Sequence, residues 1–368
     1  MKIFKVDLKK EVDNTYEIIV GWDLFERLIC DLKDAGFSKV DKFALITDSM
    51  VSEIYGKELF EQLKENQFNV HFISFPAGEI SKTRETKIYI ENRMIEEGFG
   101  RDSCVIALGG GVVSDIAGFV AGTYARGIPF INYATTLLAA ADASVGGKTA
   151  VDTPHATNLI GLFHQPEKVY IDLSMWKTLS KRHICNGLVE TIKHAIIADD
   201  LFFNYLEENI DKVITLNRDT IEYIAYKNCE IKYRIVQADE HESNLRQVLN
   251  LGHTIGRALE AICDYRMYHG EAVAVGLVLQ AKLALKYGYI NSTHLKRIVN
   301  LFKKLNLPVS LPSYINKDEL VNKIYTDKKV RKSNIKFVFQ SGIGSMMQFE
   351  DGDYSKTIEE SEIYSIIE

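Results

Sequence analysis

Over the first third of the chain, short apolar runs alternate with amphipathic segments. The apolar runs have the length of strands and are rich in β-branched residues, and they predict buried strands at Phe43–Thr47, Val70–Phe75 and Cys104–Leu108. Apolar positions three and four residues apart predict three helices. They lie at Asp23–Ala35, between the end of the strand Phe43–Thr47 and about Asn66, and at Lys82–Glu97. Strands that alternate with helices predict an α/β domain whose mostly parallel, Rossmann-like sheet has helices on both faces.

Beyond Asp172 the strand signal almost disappears, and helical periodicity takes its place. The predicted helices are Lys181–Ala198, Leu201–Asn217, Thr220–Ala238, Leu249–Cys263, Glu271–Tyr287 and Thr293–Leu305. This change predicts a domain boundary near residue 178, with an α/β domain at residues 1–178 and a mainly α-helical domain at residues 179–368.

Three further segments complete the predicted architecture. Residues 3–8 and 15–21 alternate in polarity, which predicts a hairpin or a pair of edge strands. Late in the chain, residues 335–340 and 346–350 predict a short hairpin. Tyr354–Ile367 has helical periodicity and predicts a closing helix.

The composition narrows the class of protein. The 368 residues are enough for two domains that each bury a core. A net charge of −6 gives no reason to expect nucleic acid or an anionic membrane as partner, so an anionic ligand would have to be held by local cations. The 5 cysteines are scattered without a C-x-x-C pair, which is typical of reduced, structural thiols. No apolar segment has the length of a signal peptide or a membrane span, so we expect a cytoplasmic protein.

Two glycine turns are candidate sites for an anion. Gly109–Gly111 follows the third predicted strand, where backbone N–H groups and the start of the next helix favour a phosphate. This turn is not the dinucleotide fingerprint, because Ser114 stands where the third glycine would be, and alone it is equally compatible with a tight turn that binds nothing. In the second turn Lys148 follows Gly146 and Gly147, which is typical of a phosphate or carboxylate site. It lacks the spacing of a P-loop.

The helical half offers residues that suit a metal. Glu190 and Lys193 are three residues apart and therefore share one face of a predicted helix. His253 and His269 come from two later segments, and His269 lies beside a glycine where another helix is expected to begin. One carboxylate and two imidazoles from three helices would give a site with an open coordination position, as in catalytic zinc sites. Each histidine taken singly is more often a core or surface residue, so this prediction depends on the three helices converging.

A series of motifs carries a more specific signal. In order, the chain contains GGGVVSDIAGFVA, RG, TTLL, DASVGGKTAVD and NLIGLFHQP. In this order and spacing the motifs resemble the family of 3-dehydroquinate synthases and other sugar phosphate cyclases. The resemblance extends from about Thr47 to about Gly344, which is most of the chain.

The resemblance implies two cofactors, NAD and a divalent metal, Zn2+ or Co2+. By residue-for-residue match, the metal ligands would be Glu190, His253 and His269. The residues that match the cofactor site are Asp48, Glu79, Lys82, Gly110, Gly111, Val112, Asp115, Thr135, Thr136, Leu138, Asp142 and Thr178. Without the resemblance, Asp48 and Glu79 are better explained as carboxylates that stabilise the start of a helix than as cofactor ligands.

The substrate that the resemblance implies is a seven-carbon keto acid phosphate. Arg246 and Lys232 match the positions that hold its carboxylate side, a task that suits a guanidinium because it binds a carboxylate in a bidentate manner. The residues that match the phosphate side are Arg126, Lys148, Asn158, Asn250 and one of Lys328 and Lys329. In the family Arg126 comes from the neighbouring subunit, which implies a homodimer with shared sites.

The resemblance also implies a reaction. NAD oxidises a ring hydroxyl, phosphate leaves by β-elimination, the hydride is returned, the ring opens and an intramolecular aldol closure gives the carbocycle. The cofactor is regenerated in every turnover. Lys193, three residues from Glu190, is a candidate to help the hydroxyl lose its proton.

Four positions depart from the family pattern. Arg257 replaces a second histidine and cannot shuttle a proton near neutral pH, although it can bind phosphate. Thr157 replaces a lysine, Ala143 a serine and Ala134 a proline. These departures leave open a related cyclase with another sugar phosphate, although Arg246 favours a substrate with a carboxylate. A metal-dependent polyol dehydrogenase or a non-catalytic relative is a further alternative.

Overall fold

The structure, a computed structural model, describes residues 5, 12–154, 156–264, 266–325 and 335–367. The strands are β1 (Glu17–Gly21), β2 (Lys42–Asp48), β3 (Val70–Phe75), β4 (Ser103–Gly109), β5 (Phe130–Ala134), β6 (Lys148–Val151), β7 (Ile160–Phe163), β8 (Lys168–Asp172), β9 (Ile335–Val338) and β10 (Ser355–Ile358). The helices of the first half are α1 (Phe25–Leu32), α2 (Ser49–Val51), α3 (Lys57–Glu65), α4 (Arg84–Glu96) and α5 (Gly111–Thr123). Those of the second half are α6 (Lys181–Ala198), α7 (Asp200–Ile214), α8 (Arg218–Ala238), α9 (His253–Ile262), α10 (His269–Lys286), α11 (Ser292–Lys304), α12 (Lys317–Tyr325) and α13 (Glu360–Ile367).

The first half is built on a parallel sheet of 6 strands in the order β1-β8-β5-β4-β2-β3. β3 and β4 lie on opposite sides of β2, so the direction of winding changes between β2 and β4. Ligands of such sheets bind beyond the carboxyl ends of the strands at this change of direction. The Gly109–Gly111 turn lies there, at the end of β4. The predicted α/β fold is therefore confirmed.

The sheet has a core on each face. Strand β4 is buried along its whole length, and its side chains alternate between the two cores, as the period of a strand requires. Ile106 packs with the residues of α1 and α3, whereas Val105 packs with those of α4 and α5. Burial on both faces explains why this strand is a continuous apolar run in the sequence.

The second half is mainly helical, as predicted. Its core also includes residues of β5 and β8, so the helical part packs directly against the sheet. Close packing has a local cause at α9 and α10: a Cβ added to Gly276 would lie 2.0 Å from the carbonyl oxygen of Gly252. The domain boundary near residue 178 stays a prediction. Within the described residues, no helix is both long enough and apolar enough to cross a membrane.

Two predictions for the end of the chain were wrong. Strand β9 pairs with β10 rather than with residues 346–350, and the only pairing between the two predicted hairpin segments is the isolated bridge of Gln340 and Met346. The aromatic ring of Phe349 packs against Tyr289 instead of extending a strand. The closing helix begins at Glu360, because the segment before it forms β10.

The predicted pair of segments at the start of the chain is only partly described. Strand β1 is an edge strand and runs parallel to β8. Of the other segment, residues 3–8, all but residue 5 lie outside the described residues. The hairpin alternative therefore stays a prediction.

Candidate active site

A cavity of about 1150 Å³ lies between the carboxyl ends of the sheet strands and the helical half. Its walls include the start of α5, the hairpin of β6 and β7, and the beginnings of α9 and α10. The cavity is large enough for a dinucleotide portion and a small substrate, since ligand pockets typically have volumes of about 300–1,000 Å³. The predicted site residues that line the cavity are Glu79, Lys82, Gly111, Val112, Asp115, Leu138, Asp142, Lys148, Asn158, Lys193, Lys232, Arg246, Asn250, His253, Arg257 and His269.

The three predicted metal ligands converge at this cavity. Oε1 of Glu190 lies 3.6 Å from Nε2 of His253 and 3.6 Å from Nε2 of His269. One ligand atom of each residue lies within 4.8 Å of the other two. Oε1 of Glu190 is buried and has no hydrogen-bond partner among the described residues. A buried carboxylate oxygen facing two imidazole nitrogens is the donor set that a divalent cation satisfies, so the residues fit such an ion.

Local packing brings the three side chains together. Glu190 lies in the buried middle of α6, and His269 is the first residue of α10. The next residue, Gly270, donates its backbone N–H to Oδ1 of Asn186 at 2.5 Å. A Cβ at Gly270 would lie 2.1 Å from the carbonyl oxygen of Asn186. Only glycine therefore permits the close approach that places His269 beside Glu190.

The charge around the cluster is balanced by Lys193. Its ammonium group pairs with Oε2 of Glu190, and both side chains are almost fully buried. Burial alone would raise the pKa of the Glu190 carboxyl, but Lys193 and then His253 outweigh it and hold that pKa below its usual value. Glu190 therefore stays ionised, as a metal ligand must.

A second ion pair lies beside the cluster. Nζ of Lys232 lies 2.6 Å from Oδ1 of Asp142, and it also contacts the carbonyl oxygen of Asp142. Burial lowers the pKa of the Lys232 ammonium, and the nearby carboxylate opposes this effect. The ammonium group of Lys232, on α8, is thus held at the wall of the cavity by its contact with Asp142.

Arg246 is the other cation on this side, and it is 1% exposed. One of its terminal nitrogens donates to the carbonyl oxygen of Gly146 at 2.8 Å, and the other donates to the carbonyl of Glu240. Its Nε has no hydrogen-bond partner among the described residues. A Cβ at Gly146 would lie 2.3 Å from the guanidinium, and Gly146 has φ +95°. The turn at Gly146 and the guanidinium of Arg246 therefore hold each other in position.

Lys148 and Asn250 meet at one carboxylate. Glu242 accepts from Nζ of Lys148 with one oxygen and from the Asn250 amide with the other. Burial lowers the pKa of the Lys148 ammonium to about 8, with Glu242 opposing the shift and the guanidinium of Arg246 adding to it. Arg257 lines the same region, one helical turn after His253. A cluster of donors that binds a carboxylate oxygen pair also suits a phosphate.

On the sheet side, Lys82 is surrounded by acceptors. Its Nζ lies 2.6 Å from Oδ1 of Asn158 and 3.7 Å from Oε1 of Glu79, and it pairs with Asp115. Burial raises the pKa of the Glu79 carboxyl to about 7, while Lys82 opposes that shift. The role of Asn158 on the phosphate side stays a prediction, because here its amide oxygen contacts Lys82.

The other predicted cofactor residues lie beside the cavity or away from it. Gly110, Thr135 and Thr136 follow the ends of β4 and β5, next to the lining residues. Asp48 accepts from the backbone N–H groups of Met50 and Val51, which is the helix-capping role. Thr178 hydrogen-bonds to Tyr55 at 2.8 Å. Contacts of these residues with a cofactor stay a prediction.

One predicted phosphate ligand, Arg126, is not among the residues that line this cavity. Arg126 is exposed on the turn after α5, with φ +72°. Lys328 and Lys329 lie outside the described residues.

Sequence reasoning missed several residues of the site. Glu242 lies in the loop after α8, within the segment DEHES, where a charged loop gives no sign that it turns inward. Glu260 accepts from Nδ1 of His269 at 3.1 Å. His194 is buried, with Nδ1 3.1 Å from Oδ1 of Asn228. For Glu260 a signal did exist, because it is seven residues after His253 and so lies on the same helix face.

The fold and the charged cavity together define a sugar phosphate cyclase. Two family models match the chain, 3-dehydroquinate synthase N-terminal over residues 72–186 and 3-dehydroquinate synthase C-terminal over residues 187–330. The 3-dehydroquinate synthase of Thermoanaerobacter sp. (strain X514) is 45% identical over 347 residues, which cover 94% of this chain and 96% of that protein. The chain belongs to the 3-dehydroquinate synthase family.

Solved structures give the same fold. The 2-epi-5-epi-valiolone synthase of Streptomyces hygroscopicus subsp. jinggangensis 5008, solved with NAD+ and Zn2+ bound, has a TM-score of 0.87 and 26% identity, with 99% of this chain and 98% of that chain covered. A 2-deoxy-scyllo-inosose synthase complexed with carbaglucose-6-phosphate, NAD+ and Co2+ has a TM-score of 0.85 and 24% identity, with 95% of each chain covered.

Proposed function

We propose that this protein is a 3-dehydroquinate synthase, which converts 3-deoxy-arabino-heptulosonate 7-phosphate to 3-dehydroquinate and phosphate. One observation carries the proposal: a single cavity is lined by His253 and His269 of the metal cluster and by the cations Lys148, Lys193, Lys232, Arg246 and Arg257. A substrate with both a carboxylate and a phosphate needs several such cations. The 45% identity with a 3-dehydroquinate synthase over 94% of the chain supports it.

NAD and a divalent metal, Zn2+ or Co2+, are the cofactors of this proposal. The cyclase of 26% identity with bound NAD+ and Zn2+ supports both. Glu190, His253 and His269 would hold the metal, and the sheet side with Lys82 and Asp115 would hold NAD. When bound, the two cofactors supply Lewis-acid polarisation of a ring hydroxyl and a reversible acceptor for its hydride.

The side chains of the cavity would bind and orient the substrate. Arg246 and Lys232 would face its carboxylate, and Lys148, Asn250 and Arg257 would face its phosphate. Fixing both ends places the reacting hydroxyl beside Glu190 and restricts its motion, which lowers the entropic part of the barrier.

Lys193 is the candidate group that would stabilise the substrate hydroxyl as it loses its proton. Its ammonium is paired with the Glu190 carboxylate, so it can donate a hydrogen bond to a substrate oxygen at the cluster. Such a donor stabilises the negative charge that develops on that oxygen as its proton leaves. Arg257 stays charged throughout and therefore binds without accepting a proton.

The proposal includes a cytoplasmic homodimer in which Arg126 reaches the neighbouring site. Arg126 is exposed, and it lies in a turn where Ala125 has φ +49° and Arg126 has φ +72°. Such left-handed backbone is costly for residues other than glycine, by about 1–3 kcal/mol each, and tends to persist where function requires it. An exposed, outward-directed arginine is consistent with a role in a partner's phosphate site.

The direct test is phosphate release from 3-deoxy-arabino-heptulosonate 7-phosphate in the presence of NAD+ and Zn2+ or Co2+, with NADH absorbance followed in the same sample. We expect phosphate over many turnovers without accumulation of NADH, because the hydride is returned in each cycle. Lasting accumulation of NADH would instead indicate a polyol dehydrogenase. Absence of phosphate release, with NAD+ and metal bound, would indicate another sugar phosphate as substrate.

The pH dependence should report on Lys148. A lysine is charged below its pKa, and burial lowers the pKa of Lys148 to about 8, so its charge is lost as the pH rises through that value. The substrate phosphate is a dianion over this range, since its second pKa is about 6. We therefore expect KM to rise severalfold between about pH 7 and about pH 9. A KM that is constant over this range would contradict the assignment of Lys148 to the phosphate.

A further inference from the structure

The two histidines of the cluster are oriented by different acceptors. Nδ1 of His253 lies 3.1 Å from the backbone carbonyl oxygen of Leu251. Nδ1 of His269 lies 3.1 Å from Oε2 of Glu260, a side-chain carboxylate. Because both partners are acceptors, each Nδ1 donates its proton to them, and Nε2 is the nitrogen of each ring that faces Oε1 of Glu190.

Glu260 is placed to serve this one contact. It lies on α9 two turns after His253, lines the same cavity, and its side chain is 12% exposed. Among the described residues, His269 is the only group of positive or potentially positive charge that pairs with it. A carboxylate at this depth needs a polar partner, and Nδ1 of His269 supplies it.

The geometry of the contact supports this interpretation. Glu260 and Glu190 lie at opposite nitrogens of the His269 ring, with Nδ1 facing Glu260 and Nε2 facing Glu190. A carboxylate that accepts from the far nitrogen of a metal-binding histidine also fixes the ring and increases its basicity.

We propose that Glu260 is a positioning residue that orients His269 and strengthens the binding of a divalent cation at Glu190, His253 and His269. The assignment rests on the proposed function, because it concerns the metal which that function requires. Glu260 would act only through His269 and would not contact the substrate itself.

The test is a titration of the full-length, chelator-treated protein with Co2+, in which the dissociation constant and the visible Co2+ absorption spectrum are measured. In Glu260→Ala we expect roughly 10- to 100-fold weaker binding, the range typical for loss of such an outer partner. In Glu260→Gln we expect a smaller loss, because the amide oxygen still accepts from Nδ1 but carries no charge. The spectrum of Glu260→Ala should change, since the ring of His269 is no longer held in place, and that of Glu260→Gln should change less.

Glu271→Gln is the matched control. Glu271 belongs to the first turn of the same helix, where it accepts from the backbone N–H of Tyr268 at 2.9 Å and pairs with Arg182 at 2.7 Å. This variant weakens the start of α10 without touching Nδ1 of His269, and it should keep the wild-type affinity. An equal loss in Glu271→Gln would overturn the proposal, because the effect would then come from the helix start.

The outcomes separate this proposal from the proposed function. If the wild type binds Co2+ and Glu260→Ala has the same affinity and spectrum, the role of Glu260 is overturned and the proposed function is not affected. If Glu260→Ala does not fold, Glu260→Gln decides, and unchanged affinity there overturns the role. Failure of the wild type to bind Co2+ would overturn the metal-dependent function and this assignment together.

Discussion

Replacing His253 with alanine is expected to abolish tight metal binding and to lower kcat by roughly 10³-fold or more. The reason is geometric. Nε2 of His253 and Nε2 of His269 each lie 3.6 Å from Oε1 of Glu190, so His253 supplies one of the three candidate ligand atoms. Two ligands hold a catalytic ion more weakly than three. Polarisation of a substrate oxygen by the metal lowers the barrier by several kcal/mol. Each factor of ten in rate corresponds to about 1.4 kcal/mol. Metal content by elemental analysis and phosphate release would be measured on the same preparation.

His71→Ala is the control for this variant. His71 lies in β3 and pairs with Glu97 at 3.2 Å, and it is not among the residues that line the cavity. It should keep its metal content and its activity. Full activity of His253→Ala with one equivalent of metal retained would remove His253 from the metal site and would require another third ligand.

The sequence predicted strands β2, β3 and β4 well, because burial on both faces produces continuous apolar runs, but it did not predict β5 and β8. Val70–Phe75 was predicted with its observed bounds, and Lys181–Ala198 equally so. The late hairpin was predicted wrongly, because Met346–Phe349 and Ser355–Ile358 are both short segments that could pair with β9. Long-range packing of Phe349 on Tyr289 decided between them, and such packing leaves no local signal.

Glu190, His253 and His269 were predicted as metal ligands from motifs that combine residue type with spacing. The structure brings the three side chains together, and their role as ligands stays a prediction. Glu242 and Glu260 were missed because carboxylates in a loop or on a helix face are usually solvated. Only the folded chain shows that Glu242 reaches both Lys148 and Asn250.

The cations of the cavity share one property: each lysine is held by a carboxylate of the chain itself. Lys148 pairs with Glu242, Lys232 with Asp142 and Lys82 with Asp115. Internal pairing keeps these side chains in place without a ligand, which reduces the entropy lost on binding. A substrate phosphate has to compete with Glu242 for Lys148, so the site discriminates against weakly charged ligands.

Replacing Lys148 with methionine is accordingly expected to lower kcat/KM for the sugar phosphate by roughly 10- to 10²-fold, chiefly through KM. Loss of one partner from a buried charge pair typically costs about 2–5 kcal/mol, and solvent screening reduces this cost at a partly exposed lysine. A factor of ten corresponds to about 1.4 kcal/mol. The side chain of Lys148 is 40% exposed, so the change should leave folding intact, and methionine keeps the length of the side chain. Initial rates of phosphate release at a series of substrate concentrations would give kcat and KM separately.

Lys227→Met is the matched control, because Lys227 also pairs with a carboxylate, Asp199 at 2.7 Å, but does not line the cavity. It should keep the wild-type KM. The rise of KM above about pH 8 should also disappear in Lys148→Met, since the group that titrates there is gone. A Lys148→Met variant with unchanged KM, or one that keeps the pH dependence of the wild type, would assign the phosphate to Arg257 and Asn250 without Lys148.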